Sequence, residues 1–213
     1  MKNYQTSVVI CLINLFFIIV GCESTSVNKP IRIKDGEKIS GDISSVNGNI
    51  RIGKDCQISG DCRTVNGVIE VGENSMVEDL QTVNGRIRVA AHATIRDDIS
   101  VVNGRITLEK DASVRGDIST INGKITLEGA QVGRDIETYN GNIHLTAGST
   151  VNGNIRIKEG TGKKFDDLTI ELLDHSIIRG DILVEDKNRK VTVYKSADSE
   201  ILGKVVHAEV IEK

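Results

Sequence analysis

The chain has 213 residues, with 27 basic and 30 acidic side chains, a net charge of −3, 21 glycines, one proline and no tryptophan. That length fits one domain or a small two-part chain, and the near-balanced charge argues against a nucleic-acid partner. Only three phenylalanines and three tyrosines are present, so Ile, Val and Leu must build the core, and these residues suit pleated surfaces.

Residues 1–21 read as a targeting segment. Lys2 gives a positive start, and Val8–Val20 is an apolar stretch of 13 residues interrupted by Asn14. Such a stretch is short for a transmembrane helix and suits a signal peptide. It ends Ile19-Val20-Gly21-Cys22, which resembles the lipobox of bacterial lipoproteins. The resemblance implies cleavage before Cys22, a diacylglycerol on its thiol and acylation of the new amine. More than one acyl chain gives stable anchoring. Glu23, where Asp would favour the inner membrane, points to outer-membrane sorting. The expected location is the bacterial cell envelope, lipid-anchored through Cys22. Residues 22–38 then form a polar tether holding the one proline, Pro30, although Ile31 and Ile33 already alternate with Arg32 and Lys34 like a strand.

From residue 39 the chain repeats itself. Each unit opens on an aliphatic residue: Ile39, Ile58, Met76, Ile95, Val114, Val132 and Val151, with steps of 18 or 19. Four residues later stand Ile43, Cys62, Leu80, Ile99, Ile118, Ile136 and Ile155. Val46, Val65, Val83, Val102, Ile121 and Tyr139 follow, each directly before Asn-Gly. Ile50, Ile69, Ile87, Ile106, Ile125 and Ile143 come next, each with an aliphatic residue two places on. Looser openers at Ile178 and Ile201 follow longer steps, with inserts after Glu159 and from Glu185. A fixed period of this kind marks a repeat architecture. Apolar residues alternate over short runs and no helical spacing occurs. The prediction is all-β: one parallel β-solenoid of about 19 residues per turn, each turn stacked about 4.8 Å above the last. Residues 39–157 form its regular part. Residues 158–213 are expected to form irregular turns and a C-terminal cap, which the charged Glu209, Glu212 and Lys213 favour.

The Asn-Gly pairs are the recurring structural positions: Asn47 and Gly48, Asn66 and Gly67, Asn84 and Gly85, Asn103 and Gly104, Asn122 and Gly123, Asn140 and Gly141. They read as corners needing φ > 0, with Asn side chains that hydrogen-bond from turn to turn. Val151-Asn-Gly-Asn-Ile155 copies that phrase but falls by step count in the Gly-Asp-Ile column. Cys56 and Cys62 remain after processing, in an oxidising compartment. Six residues of straight strand separate them by roughly 20 Å, too far for a disulfide. Cys56 sits where other units place Ala or Ser, and Cys62 where they place Ile or Leu, so small buried thiols are expected.

The phrase Ala112-Ser-Val-Arg-Gly-Asp-Ile118, echoed at Ser176-Ile-Ile-Arg-Gly-Asp-Ile182, resembles the bactofilins, polymer-forming bacterial cytoskeletal proteins. It is also similar to a bacterial adhesin-like family with Asn-Gly-rich strand repeats. The likeness covers roughly residues 39–157 and, more weakly, continues to 205. It implies a right-handed helix and, on the bactofilin side, end-to-end polymers.

Other motifs carry less. Asp42, Asp61, Asp79, Asp98, Asp117, Asp135, Asn154 and Asp181 form a column, read as solvated corner residues with Arg96, Arg115 and Arg179 nearby. The calcium-binding nonapeptide is absent, and no cofactor or metal is expected. Arg86, Arg105 and Lys124 follow Asn-Gly in three successive turns, a short basic stripe. Arg-Gly-Asp at 115–117 and 179–181 belongs to the repeat grammar. His92, His144, His175 and His207 lack metal-ligand spacing. With few aromatic sugar platforms and no nucleophile motif, the expectation is a non-catalytic scaffold or adhesin-like rod. Its expected partners are the membrane, and either a further copy of itself or an envelope polysaccharide or protein. The alternatives are a self-polymerising scaffold and a polysaccharide-active enzyme built on a carboxylate cleft beside residues 159–167.

Overall fold

The computed structural model describes residues 24–160 and 166–213. The described residues are all strand and turn, wound as a parallel β-solenoid. Every strand pairs in parallel with the equivalent strand one coil away. A nine-stranded sheet of two-residue strands runs from Lys38–Ile39 to Glu200–Ile201. A sixteen-stranded sheet forms the rest, and its main path of ten strands counts about ten coils, a rod of roughly 45 Å at the strand spacing.

The solenoid starts earlier than the tether reading allowed. Ser24–Ser26 pairs with Ile43–Ser45, and Ile31–Ile33 with Ile50–Ile52, so a full coil precedes Ile39. The alternation of Ile31 and Ile33 was its signal. At the other end, the strands at 200–201, 205–206 and 209–212 keep the register of the preceding coil.

Stacking puts like residues on like. Ile43, Cys62, Leu80, Ile99, Ile118, Ile136 and Ile155 lie in one fully buried column, and Ile50 to Ile143 in another. Burial of each such side chain contributes about 1.5–3 kcal/mol. One column is made of small residues: Cys56, Ser75, Ala93, Ala112, Ala130, Ser149, Ser176 and Ser199, all buried. Its serines accept backbone N–H groups across coils, Ser75 Oγ from Cys56 N at 2.9 Å and Ser149 Oγ from Ala130 N at 3.2 Å. Cys56 and Cys62 are buried free thiols in the Ala/Ser and Ile/Leu columns, and burial pushes the Cys62 thiol pKa up.

Three expectations need correction. The third opener is Val77, not Met76: Val77 pairs with Ile95 and is fully buried, whereas Met76 pairs with Thr94. That coil lacks one residue between the opener and Leu80, which shifted the count. The residues before Asn-Gly are not core. Val65, Val83 and Val102 are only half-buried, and the neighbouring Thr64, Thr82 and Val101 point inward. Thr64 Oγ1 donates to Gly48 O at 3.1 Å, which satisfies its hydroxyl at the bend.

The third concerns the Asn-Gly pairs. None of them adopts positive φ. In the central coils each lies inside one continuous strand, as in Cys62–Val71 or Ile99–Leu108. The inward positions jump from 62 and 64 to 69 and 71, so the strand bends there by a change of phase. The left-handed corner is elsewhere, at Asp55, Asn74, His92 and Asp111, with Gly36, Gly129 and Gly148 in other coils. Asp, Asn and Gly tolerate that conformation best.

Candidate functional site

Two ladders of polar side chains run along the outside of the coil. In the first, each Asn Nδ2 donates to the Oδ1 of the Asn one coil earlier. Asn47 donates to Asn28 at 3.0 Å, Asn66 to Asn47 at 2.8 Å, and Asn84 to Asn66 at 3.0 Å. Asn103 donates to Asn84 and Asn122 to Asn103, both at 3.0 Å, and Asn140 to Asn122 at 3.4 Å. The predicted turn-to-turn bonds are therefore present. The glycines beside them are required by close stacking: a Cβ on Gly67 would meet Gly48 O at 2.3 Å.

The ladder ends on a residue that the repeat could not reveal. Arg189, nearly buried within the insert that begins at Glu185, donates from Nη2 to Asn140 Oδ1 at 2.8 Å and from Nη1 to Tyr139 O. Its Nε donates to Asp166 O at 3.0 Å. The insert thus folds back over the end of the Asn column, and its sequence carries no periodic signal for doing so.

The second ladder is the Asp column. It is half-buried and structural, with carboxylates accepting the backbone N–H of the next coil. Asp42 Oδ1 accepts from Asp61 N at 3.0 Å, Asp98 from Asp117 at 2.7 Å, and Asp117 from Asp135 at 2.8 Å. Asp135, Asn154 and Asp181 continue it. Val151 and Ile155 register with Val132 and Ile136, so Asn154 does belong to this column. Both Arg-Gly-Asp copies lie within it, with Gly116 buried and Asp117 engaged on both sides. The compensating cations differ from those expected. Arg63 bridges Asp42 and Asp61, and Arg156 lies 2.8 Å from Asp135, whereas Arg96 turns to Glu78. Burial pushes Asp135 up, but the Asn154 backbone N–H, the Arg156 guanidinium and the Asn154 side chain together hold it below the usual carboxylate range.

The basic stripe is real as a column. Arg86 pairs in register with Arg105, and Arg105 with Lys124. All three are exposed, and they flank a shallow groove of about 540 Å³ whose floor includes Gly85 and Gly104.

The histidines are scattered. His144 lies 2.8 Å from Glu171 and His175 3.1 Å from Asp198, and His92 and His175 occupy left-handed corners. Among the described residues no cluster of three metal-ligating side chains occurs. Cys22 and residues 1–21 lie outside the described residues, as do residues 161–165 of the loop considered for a carboxylate cleft. No described helix is long and apolar enough to cross a membrane.

No family model, curated protein or solved structure matches this chain.

Proposed function

We propose that the chain is a non-catalytic rod of the bacterial cell envelope, lipid-anchored at Cys22, whose solenoid presents a stiff, regular surface to a partner. The observation that carries this reading is the coil register of the described residues between Ser24 and Glu212, which begins two residues after the lipobox-like Cys22. So short a connection holds the axis of the rod close to its anchor. The outward Asn and Asp columns are engaged in ladders and several outward cations in ion pairs, an arrangement suited to a scaffold. The test is metabolic labelling with a radioactive fatty acid in a bacterial host. The wild-type chain is expected to carry label and to fractionate with membranes, and Cys22→Ser to do neither. Label retained in Cys22→Ser overturns the anchor.

A second reading, a bactofilin-like self-assembling scaffold, is favoured by the last coil. Leu202 is 61% exposed, and Val210 and Ile211 are exposed beside the partly buried Ile201 and Val205. Among the described residues no strand pairs beyond this coil, and an open sheet edge templates pairing. On this reading, residues 23–213 form end-to-end oligomers of uniform width in sedimentation velocity and negative-stain microscopy, and Leu202→Asp returns them to single rods. A wild-type chain that stays one rod at every concentration removes this reading and leaves the anchored rod.

A further inference from the structure

We propose that the groove along Arg86, Arg105 and Lys124 binds an extended acidic polysaccharide lying parallel to the solenoid axis. This goes beyond the anchored rod and stands without it.

The first observation is an uncompensated charge. The outward residues two places further on are paired by charge across coils, Arg51 with Glu70 in register at 2.7 Å and Arg88 diagonally with Glu109. The corner beside it pairs Lys54 with Glu73 at 2.7 Å. Among the described residues Arg86, Arg105 and Lys124 form no ion pair or side-chain hydrogen bond, although they stack in register on one another. Like charges held opposite one another on neighbouring strands destabilise a sheet. The same column carries Val68 one coil before Arg86, so the register itself does not demand a cation. Three consecutive coils carry a repulsive column that a polyanion would neutralise.

The second observation is the surface between these cations. Gly85 and Gly104 leave the floor at backbone level, and Asn84 and Asn103 form the opposite bank. Each ladder Asn uses one N–H and one Oδ1 lone pair on its neighbours. A second N–H and a second lone pair stay available for hydroxyl groups. From Arg86 to Lys124 is two coil steps, about 10 Å, so a linear chain along the axis meets a cation in each coil. No aromatic side chain lines the groove, which disfavours the base stacking that single-stranded nucleic acids use. Charges on one bank and amides on the other fit a polymer carrying both carboxylates and hydroxyls.

The test uses the full chain in a non-ionic detergent, titrated with fluorescent oligogalacturonate and followed by anisotropy. Dextran and oligothymidylate of matched length are the comparisons. Wild type is expected to bind the oligogalacturonate, more weakly as salt rises. The triple variant R86Q/R105Q/K124Q is expected to bind more than about tenfold more weakly. R115Q/R134Q/R179Q, which removes three exposed cations outside the groove, is expected to stay within about twofold. Arg105→Glu is expected to lose binding while melting at or above the wild-type temperature, because it relieves the stacked repulsion. The proposal is overturned by wild-type binding in the groove triple variant, by no binding in the wild type, or by dextran or oligothymidylate binding equally well. A lower melting temperature for Arg105→Glu also overturns it, since the cations would then be structural.

Discussion

Gly104→Ala is expected to destabilise the fold by about 4 kcal/mol or more, the range reserved for severe steric and core defects. A Cβ at this position would sit 1.5 Å from Gly85 O, and the same conflict recurs at Gly85 with Gly67 O and at Gly141 with Gly123 O. The obstacle is backbone. Gly85, Gly104 and Gly123 lie in successive hydrogen-bonded strands, so none retreats without breaking ladder bonds in two coils. The conflict is not one of dihedral angle, because Gly104 has no positive φ. Gly148 supplies the contrast. It has φ +77° with open space around it, so Gly148→Ala is expected to cost only about 1 kcal/mol, through conformation alone. Urea unfolding of the two variants beside wild type checks this. A Gly104→Ala midpoint close to that of Gly148→Ala would show that the coils separate easily at the Asn-Gly bend.

These glycines also show where sequence reading succeeds and where it stops. The period was legible because parallel in-register stacking places each residue on its own kind, so the core is written as columns of Ile, Val and Leu. The Asn ladder was legible for the same reason. The cause of the Asn-Gly pairs was not, because a turn needing φ > 0 and a bend needing close backbone contact select the same residues. The true left-handed corner at Asp55, Asn74, His92 and Asp111 did carry a signal, a recurring Asp, Asn or Gly, but His92 and Ala147 blur it. Met76 displaced Val77 because two adjacent apolar residues meet a coil that is one residue short. Arg189 left no trace in the repeat, since it reaches Asn140 from 49 positions away. The basic stripe was visible as three letters. Its lack of carboxylate partners became visible only once the neighbouring columns were seen to pair.

Asp79→Asn is expected to stabilise the chain at pH 7 by about 1–2 kcal/mol and to leave it nearly unchanged at pH 4. Asp79 falls in the shortened coil, where the Asp ladder loses its register. Its Oδ1 is buried without a partner, and its Oδ2 accepts from Gln81 Nε2 at 2.6 Å. Burial pushes its pKa up from the ordinary 3.8 to about 6; the Gln81 bond opposes this, and the neighbouring Asp61 and Asp98 charges add to it. Between those two values the native state holds a proton that the unfolded chain has released. Unfolding free energy therefore falls as pH rises from about 4 to about 6 and then levels, by at most about 3 kcal/mol. Burial pushes Asp61 and Asp98 upward too, with the same sign, so the difference between variant and wild type, not the wild-type curve, isolates Asp79. Asn154 shows that the column accepts an amide: its Nδ2 donates to Asp135 Oδ1 at 3.1 Å while its Oδ1 accepts from Asp181 N at 2.8 Å. An amide at 79 carries no charge to desolvate, and its oxygen keeps the Gln81 bond. Chemical denaturation of both proteins from pH 4 to pH 8 gives the test. Two parallel curves would mean that Asp79 titrates alike in the folded and unfolded chain, and a less stable variant at pH 7 would mean that its carboxylate charge is matched within the fold.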